Sequence, residues 1–395
     1  MWRWVRDPSL QPDLRTPVSP SRKPNVLIVV DGLKLGGLAR VMIDLSNGFM
    51  TKGLHVGMIV LAPRIDYDMA TTDWMRVYPE VEPAFGALRV SYRQRLSTFI
   101  KEGIAAYEAH YGSADLIIAA GEMTMRCAAH VDHPNMLLSS HSSQLQSPKY
   151  ANWYGRLKYQ IKILRRGWRA RQLFSGKNVH VVSYGLAHEL VTVLGARPRS
   201  VTTIYNPFDI ERIRKWGKQS TPESTMQTRE FIIGIGEFNY RKSFERLIRA
   251  FSQCQFKGDL VLVGQGGDEK KMRQLAQDCG LEERVKFIPF HANHYALLRK
   301  AKLLVSTSRS EGFGNVLVEA LILGVPAVSI DCPHGPRDIL LPICSEALIP
   351  PDRLALLPER IDRFIARPYA VEPHHLQRFT RDFVLDQYLS LIGRL

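Results

Sequence analysis

Ser310-Glu311-Gly312-Phe313-Gly314-Asn315-Val316-Leu317-Val318-Glu319-Ala320 sets two carboxylates eight positions apart across a glycine-rich turn that opens an apolar helix. The preceding run, Leu303-Leu304-Val305-Ser306-Thr307, reads as a short buried strand, and the spacing predicts a helix from Val316 to Leu323 stopped by Gly324 and Pro326. Glu311 then falls in a strand-to-helix loop and Glu319 in the second helical turn. At about 1.5 Å per residue, roughly 6 to 8 Å of helix separates Glu319 from the loop, so one ligand can span both carboxylates. Between them the backbone N–H groups of Phe313, Gly314 and Asn315 stand at a helix N-terminus, where partial positive charge favours a phosphate or an oxyanion. The arrangement suits a sugar nucleotide.

Strand candidates continue on both sides of this stretch. Asn25 to Val30, followed by the loop Asp31 to Gly37 and an amphipathic helix from Leu38 to Met50, is the opening of a Rossmann-like unit. Further strands are expected at His55 to Leu61, Leu116 to Ala120, Met136 to Ser139 and Val179 to Val182. A second series runs through Phe231 to Ile235, Leu260 to Val263, Val285 to Ile288, Lys302 to Ser306 and Ala327 to Ile330. Two α/β series imply two parallel sheets. The polar stretch Lys215 to Arg229, just before the second series, reads as the exposed connection or as an insertion near the hinge.

The chain of 395 residues, 45% of them hydrophobic, is long enough for two domains with separate cores. No run approaches the length of apolar sequence that spans a bilayer. Met1 to Lys23, rich in Pro, Ser and Arg, lacks the apolar centre of a signal peptide and reads as a mobile tail. Five scattered cysteines without CxxC spacing argue against a structural zinc or a disulfide framework, and for a reducing compartment.

The net charge of +15 is uneven: twenty-six Lys and Arg face fifteen Asp and Glu within residues 1–206. Much of the excess lies in Tyr154 to Phe174, where Arg156, Lys158, Lys162, Arg165, Arg166, Arg169 and Arg171 occur without an acidic residue. Tyr154, Leu157, Ile161, Leu164, Trp168 and Leu173 are interleaved with them. The segment reads either as a basic amphipathic helix on an anionic membrane surface or as a solvated helix packing its apolar stripe on its own domain. The membrane reading is preferred, and nucleic acid is not expected as a partner.

Ser310 to Ala320 resembles the Glu-x7-Glu signature of the retaining glycosyltransferases of family 4, which have the GT-B fold. The similarity continues at Gly234-Ile235-Gly236, Arg241-Lys242, Leu262-Val263-Gly264-Gln265-Gly266, Phe287-Ile288-Pro289-Phe290 and Asp331-Cys332-Pro333-His334-Gly335-Pro336-Arg337. It is thinner at Gly36-Gly37 with Arg40, at Val182-Ser183 and at Ile204-Tyr205-Asn206-Pro207. The segment from Asp331 to Leu340 is similar to members that build bacterial surface polysaccharides and lipopolysaccharide.

The resemblance implies two Rossmann-like domains with a cleft between them. The expected bounds are a tail at 1–23, an acceptor-binding domain at 24–210 with 377–395, and a nucleotide-sugar-binding domain at 211–376. The closing segment from His375 to Leu395 would cross back to the first domain, with Leu376, Phe379, Phe383, Tyr388, Leu389 and Ile392 as its apolar face. Arg241 and Lys242 would meet the donor diphosphate. Gly236, Gly264, Pro289, Gly312, Phe313, Gly314 and Asn315 would line the donor site, Glu319 would accept from the ribose hydroxyls, and Glu311 would lie against the donor sugar. His141 would contact that sugar, so Glu311, His141 and Lys242 are the catalytic candidates. Gly36, Gly37, Arg40 and Asp31 are acceptor-side candidates.

No cofactor or metal is expected. The substrate would be a nucleotide-diphosphate sugar, a UDP-sugar favoured, and the acceptor a glycan or glycolipid at the inner face of the cytoplasmic membrane. The one Asp-x-Asp match, Asp66-Tyr67-Asp68, reads as surface charge. The family often has Arg directly after the glycine matching Gly236, where this chain has Glu237, which leaves Arg241 as the substitute. Two other readings stay open at this point: a sugar-nucleotide epimerase of the same fold, which usually lacks the Ser-Glu-Gly-Phe-Gly loop, and a scaffold without turnover, hinted at by Glu237.

Overall fold

The computed structural model describes residues 22–33, 36–63, 65–66, 72–80, 87–145, 153–222, 229–291 and 293–395; the side chains of 87–89 and 153–157 are left aside. The expected tail, apart from Arg22 and Lys23, lies outside these residues, as do Tyr67 and Asp68. The chain divides into two units: one ends at Pro207 and is rejoined by Arg381–Leu395, and the other is Phe208–Thr380.

The first unit holds a parallel sheet of seven strands among the described residues: β1 (Asn25–Val30), β2 (His55–Val60), β3 (Trp74–Val77), β4 (Leu116–Ala120), β5 (Met136–Ser140), β6 (Asn178–Val181) and β7 (Ser200–Thr203), ordered β3-β2-β1-β4-β5-β6-β7. Val26 pairs with both Val56 and Leu116, so β1 is fully flanked. Every residue of β1 and β4 is buried, as expected of strands covered on both faces by helices. Helix Gly37–Thr51 covers one face through Val41, Met42, Leu45 and Phe49.

Helix Arg381–Leu389 packs on that same cluster with Val384, Leu385 and Tyr388, and the Phe49 and Tyr388 rings meet edge to face at 6.2 Å. Its buried face therefore differs from the expected one. Phe383 is only half-buried, and Leu376 and Phe379 lie in the second unit, where the Phe379 ring stands 5.8 Å from Phe313.

The second unit carries β8 (Phe231–Ile235), β9 (Asp259–Val263), β10 (Val285–Ile288), β11 (Leu303–Ser306), β12 (Ala327–Ile330) and β13 (Leu348–Ile349), all parallel, in the order β10-β9-β8-β11-β12-β13. The sequence pattern misses β3, β7 and β13. These are terminal strands of their sheets, and β3 and β7 are largely half-exposed, so neither shows the apolar run that marks a strand buried on both faces. Lys215 is no connector: it belongs to helix Ile210–Gly217, whose Gly217 packs closely on Leu323. Residues 223–228 lie outside the described set. All five cysteines are free thiols.

Candidate active site

In the second unit the chain winds from β8 through β9 to β10 on one side of the sheet, then from β11 through β12 to β13 on the other. At such a reversal the loops leaving two neighbouring strands part to opposite faces and open a crevice at the strands' C-terminal ends. The loop after β8 carries Arg241 and Lys242, and the loop after β11 carries Glu311. Lys242 Nζ donates to Glu311 Oε1 at 2.6 Å, Arg241 Nη1 donates to Oε2 at 3.1 Å, and the Ser308 hydroxyl donates to Oε1 at 2.5 Å.

Glu311 is buried, Lys242 mostly so, and the Arg241 side chain is 39% exposed. Burial alone pushes the Glu311 carboxyl up. The Lys242 and Arg241 charges, with the hydrogen bonds from Lys242 and Ser308, outweigh it and hold the group below the usual carboxylate range. One carboxylate against two cations leaves the group net positive, with Arg241 facing solvent.

The backbone around this cluster is shaped for close approach. A Cβ on Gly264 would stand 1.9 Å from the Gly236 carbonyl oxygen, so the loops after β8 and β9 touch only because Gly264 has no side chain. The Lys242 stem lies over Gly236, where a Cβ would come within 2.8 Å of its Cε. Ser243, next to Lys242, is held left-handed at φ 57 and is fully buried. Its carbonyl accepts from the Thr307 hydroxyl at 3.0 Å, tying the β8 loop to the end of β11. Sequence patterns carry no signal for Ser243, Thr307 or Ser308, because hydroxyl residues in loops have no characteristic spacing.

Helix Asn315–Ile322 begins at Gly314 and carries Glu319. Gly335 presses on the preceding turn so closely that a Cβ there would meet the Phe313 carbonyl oxygen at 1.8 Å. Gly312 is half-buried and Phe313 fully buried. Glu319 is buried too: its Oε2 lies 2.9 Å from His294 Nε2, and its Oε1 accepts from the Tyr295 hydroxyl at 3.3 Å. His294 and Tyr295, on the segment after Pro289 and Phe290, were not legible as partners of Glu319. Pro289 is exposed, and the Phe290 ring stands 5.3 Å from that of His294. Glu237 is exposed.

The first unit reverses between β1 and β4, and there the protein's own groups meet. The Asp31 carboxylate accepts from the backbone N–H groups of Thr124 at 2.6 Å and Met123 at 3.3 Å, in the first turn of helix Glu122–Ala128. Burial raises its pKa against these bonds. Asp31 thus caps a helix, a role its position after β1 did not reveal. Arg40 forms an i,i+4 pair with Asp44 at 3.5 Å, and Gly36 and Gly37 sit exposed at the start of helix Gly37–Thr51.

His141 leaves β5 half-buried, with Nε2 at 2.8 Å from the Ser139 hydroxyl. Burial, and then the nearby His180, hold its imidazole well below the usual range against a hydrogen bond with Asn206.

The basic segment forms helix Trp153–Phe174. It packs inward through Gly167, Ala170 and Phe174, and it exposes Ile161, Leu164 and Trp168, the last two at 69% and 61%. Lys158, Arg165 and Arg169 are exposed beside them, with Lys162 and Arg166 half-buried; the side chain of Arg156 lies outside the described set. No helix among the described residues is long and apolar enough to cross a membrane.

Two family models match the chain, Glycosyltransferase Family 4 over residues 35–212 and Glycosyl transferases group 1 over residues 218–382. The chain is 29% identical over 157 residues to an N-acetylgalactosaminyltransferase acting on a diphospho-undecaprenol substrate from Campylobacter jejuni, covering 40% of this chain and 42% of that one. It is 24% identical over 218 residues to a lipopolysaccharide 1,6-galactosyltransferase of Escherichia coli, covering 54% and 59%. The chain thus spans about half the length of the relatives it matches. The structure superposes on Anabaena Alr3699/HepE, solved in complex with UDP and glucose, with TM-score 0.69, 20% identity and coverage of 94% of this chain and 100% of that one. That likeness gives the two parallel sheets their architecture, GT-B. With one glycosyltransferase model on each half and the GT-B arrangement of strands, the chain belongs to the glycosyltransferases.

Proposed function

We propose that the protein transfers a sugar, with retention of anomeric configuration, from a nucleotide-diphosphate sugar to a hydroxyl of a lipid-linked glycan or lipopolysaccharide acceptor. The observation that carries this reading is the Arg241–Lys242–Glu311 cluster at the β8/β11 reversal, net positive and open to solvent at Arg241. As the bond between the anomeric carbon and phosphate breaks, negative charge grows on the leaving diphosphate, and fixed cations stabilise it without reorganising. In this role the two cations take the place a metal ion has elsewhere, and a UDP-sugar is the favoured donor.

Glu311 is ill suited to be a nucleophile. Both of its oxygens are already hydrogen-bonded, to Lys242, Ser308 and Arg241, and a double displacement needs an activated carboxylate beneath the anomeric carbon. Front-face transfer needs no such group. The acceptor oxygen bonds to the anomeric carbon as the phosphate leaves, and the acceptor proton passes to the departing phosphate oxygen. His141, in the first unit, serves as hydrogen-bond partner to a sugar hydroxyl.

The exposed Ile161, Leu164 and Trp168 among Lys and Arg support a membrane-surface role for helix Trp153–Phe174, facing anionic lipid where a lipid-linked acceptor resides. The test is a nucleotide-sugar panel in EDTA, read by thermal shift and by release of nucleoside diphosphate with a lipid-linked acceptor. One donor should stabilise the wild type, and release should depend on acceptor. Isomerisation of the donor without acceptor would favour an epimerase, and neither stabilisation nor release with any donor would favour a scaffold.

A further inference from the structure

The chain passes between the two units twice, between Pro207 and Phe208 and again between Thr380 and Arg381. Within the second unit these two passages are paired. The Phe208 N–H donates to the Phe379 carbonyl oxygen at 2.9 Å, and Phe208 and Thr380 form an isolated parallel bridge.

The Phe313 ring packs against both passages. Its centroid stands 6.4 Å from that of Phe208 and 5.8 Å from that of Phe379, the second pair edge to face, and all three residues are buried. Phe313 belongs to the turn between Glu311 and helix Asn315–Ile322, where the resemblance put it among the residues lining the donor site. A ring enclosed in this way offers no face to a ligand. Its side chain is spent on the two passages, while its carbonyl oxygen is pressed by Gly335.

The entering segment also reaches the other end of the same helix. Asp209 caps helix Ile210–Gly217 by accepting from the Arg212 N–H at 2.9 Å. From that helix Arg214 Nε donates to the Ile322 carbonyl oxygen at 3.3 Å, and Gly217 packs on Leu323. The helix that carries Glu319 is thus held before its first turn by Phe208 acting through Phe313, and at its last turn by Arg214 and Gly217.

We infer that Phe313 is a positioning residue that couples the donor loop, residues 311–315, to the paired passages at Phe208 and Phe379, so that a nucleoside diphosphate held by the loop orders both connections between the units. The inference rests on the proposed function for the identity of the ligand, but the coupling itself does not. Close-packed rings cannot part without opening a void, so a shift of the loop is felt at both passages. Such coupling is reciprocal: loosening the passages weakens the ligand by the factor by which the ligand tightens them. Phe208 and Phe379 lie outside the Arg241–Lys242–Glu311 cluster, and a change in either reaches the donor through Phe313.

The test is amide hydrogen exchange on the full chain, followed in peptides covering residues 204–212, 309–318 and 376–384, beside calorimetric titration with UDP. Without ligand, Phe313→Leu should speed exchange in 204–212 and 376–384, and Phe208→Leu should speed it in 309–318. Both effects should exceed those of Phe251→Leu, a fully buried ring of the same unit that is no part of the trio. Saturating UDP should slow all three peptides in the wild type and only 309–318 in Phe313→Leu. Phe208→Leu should weaken UDP roughly fivefold, and Phe251→Leu should leave its affinity unchanged. If a Leu variant fails to fold, the Met variant at the same position, closer in volume, should show the same pattern with smaller changes.

Exchange in 309–318 that is indifferent to Phe208→Leu, or UDP that slows the loop of the wild type without slowing the passages, overturns the inference. Responsive exchange with an unchanged UDP affinity in Phe208→Leu overturns the control of the donor site. Failure of the wild type to bind UDP, GDP or ADP would instead defeat the proposed function, and the ligand-free comparison would still decide the coupling.

Discussion

Lys242 Nζ lies 2.6 Å from Glu311 Oε1, joining the loop after β8 to the loop after β11 where the second sheet reverses direction. A buried carboxylate that loses one of its two cations keeps the other, so Lys242→Met should leave a folded protein whose Glu311 is held by Arg241. The missing charge should weaken binding of a nucleoside diphosphate by about ten- to a hundredfold, the usual worth of a charge-assisted hydrogen bond. Glu311→Gln should behave differently, since it removes the negative charge that both cations face while keeping one acceptor oxygen: nucleoside diphosphate affinity is kept while kcat falls. Calorimetric titration with UDP beside steady-state kinetics separates the two patterns, and equal losses of binding in both variants would contradict this division of roles.

Glu319 raises a question of partition, because His294 and Tyr295 already occupy its oxygens. Glu319→Ala strands two buried donors and should cost about 1 to 3 kcal/mol of stability with or without nucleotide. Glu319→Gln keeps an acceptor for them and isolates any ligand role. If the carboxylate also receives the ribose hydroxyls, Glu319→Gln weakens UDP about tenfold and leaves the affinity for an analogue lacking the ribose hydroxyls unchanged. A double-mutant-style cycle of the two proteins and two ligands measures this coupling, and zero coupling would make Glu319 a purely structural residue.

The sequence was most legible where strands are buried on both faces. Phe231–Ile235 and Asn25–Val30 announce themselves as apolar runs, and the glycine loop before Asn315 fixes the strand-to-helix turn. Strands seen on one side only, such as Ser200–Thr203, give no such run. The cations Arg241 and Lys242 were legible by resemblance, but their common partner was not, since an ion pair 69 residues apart in sequence has no local pattern. Asp31 shows a different limit: a carboxylate after the first strand suggested a ligand contact, and its bonds to the backbone of helix Glu122–Ala128, 92 and 93 residues on, have no local pattern.

Acid should weaken the first unit selectively. His180 has a pKa of about 4 in the folded protein against an ordinary 6.5. Between these values the unfolded chain binds the proton and the folded chain does not, so folding stability rises with pH across that window. The contribution is fully present above pH 6.5 and declines as pH falls, the loss amounting to roughly 3 kcal/mol at most by the lower end. His141, also depressed, adds in the same direction. Hydrogen exchange of β5 and β6 amides should accelerate from pH 7 toward pH 5 beyond its intrinsic pH dependence, and His180→Gln should flatten that change. An equal slope in the variant would remove His180 as its source.

Helix Trp153–Phe174 makes a prediction with two separable halves. Ile161, Leu164 and Trp168 are exposed at successive turns, and their neighbours on the helix are basic without one acidic residue. If this face meets a membrane, vesicles rich in anionic lipid should sediment the protein and neutral vesicles should not, because the charges supply the long-range attraction. Raising the salt should release it. Replacing both Leu164 and Trp168 by Glu removes apolar contact and reverses charge at exposed positions, so thermal stability should change little while vesicle binding is lost. Transfer to a soluble acceptor fragment should then persist, and transfer to a lipid-linked acceptor in vesicles should fall, since only the second needs the surface. Binding to anionic vesicles that survives this double substitution would place the membrane contact elsewhere on the protein.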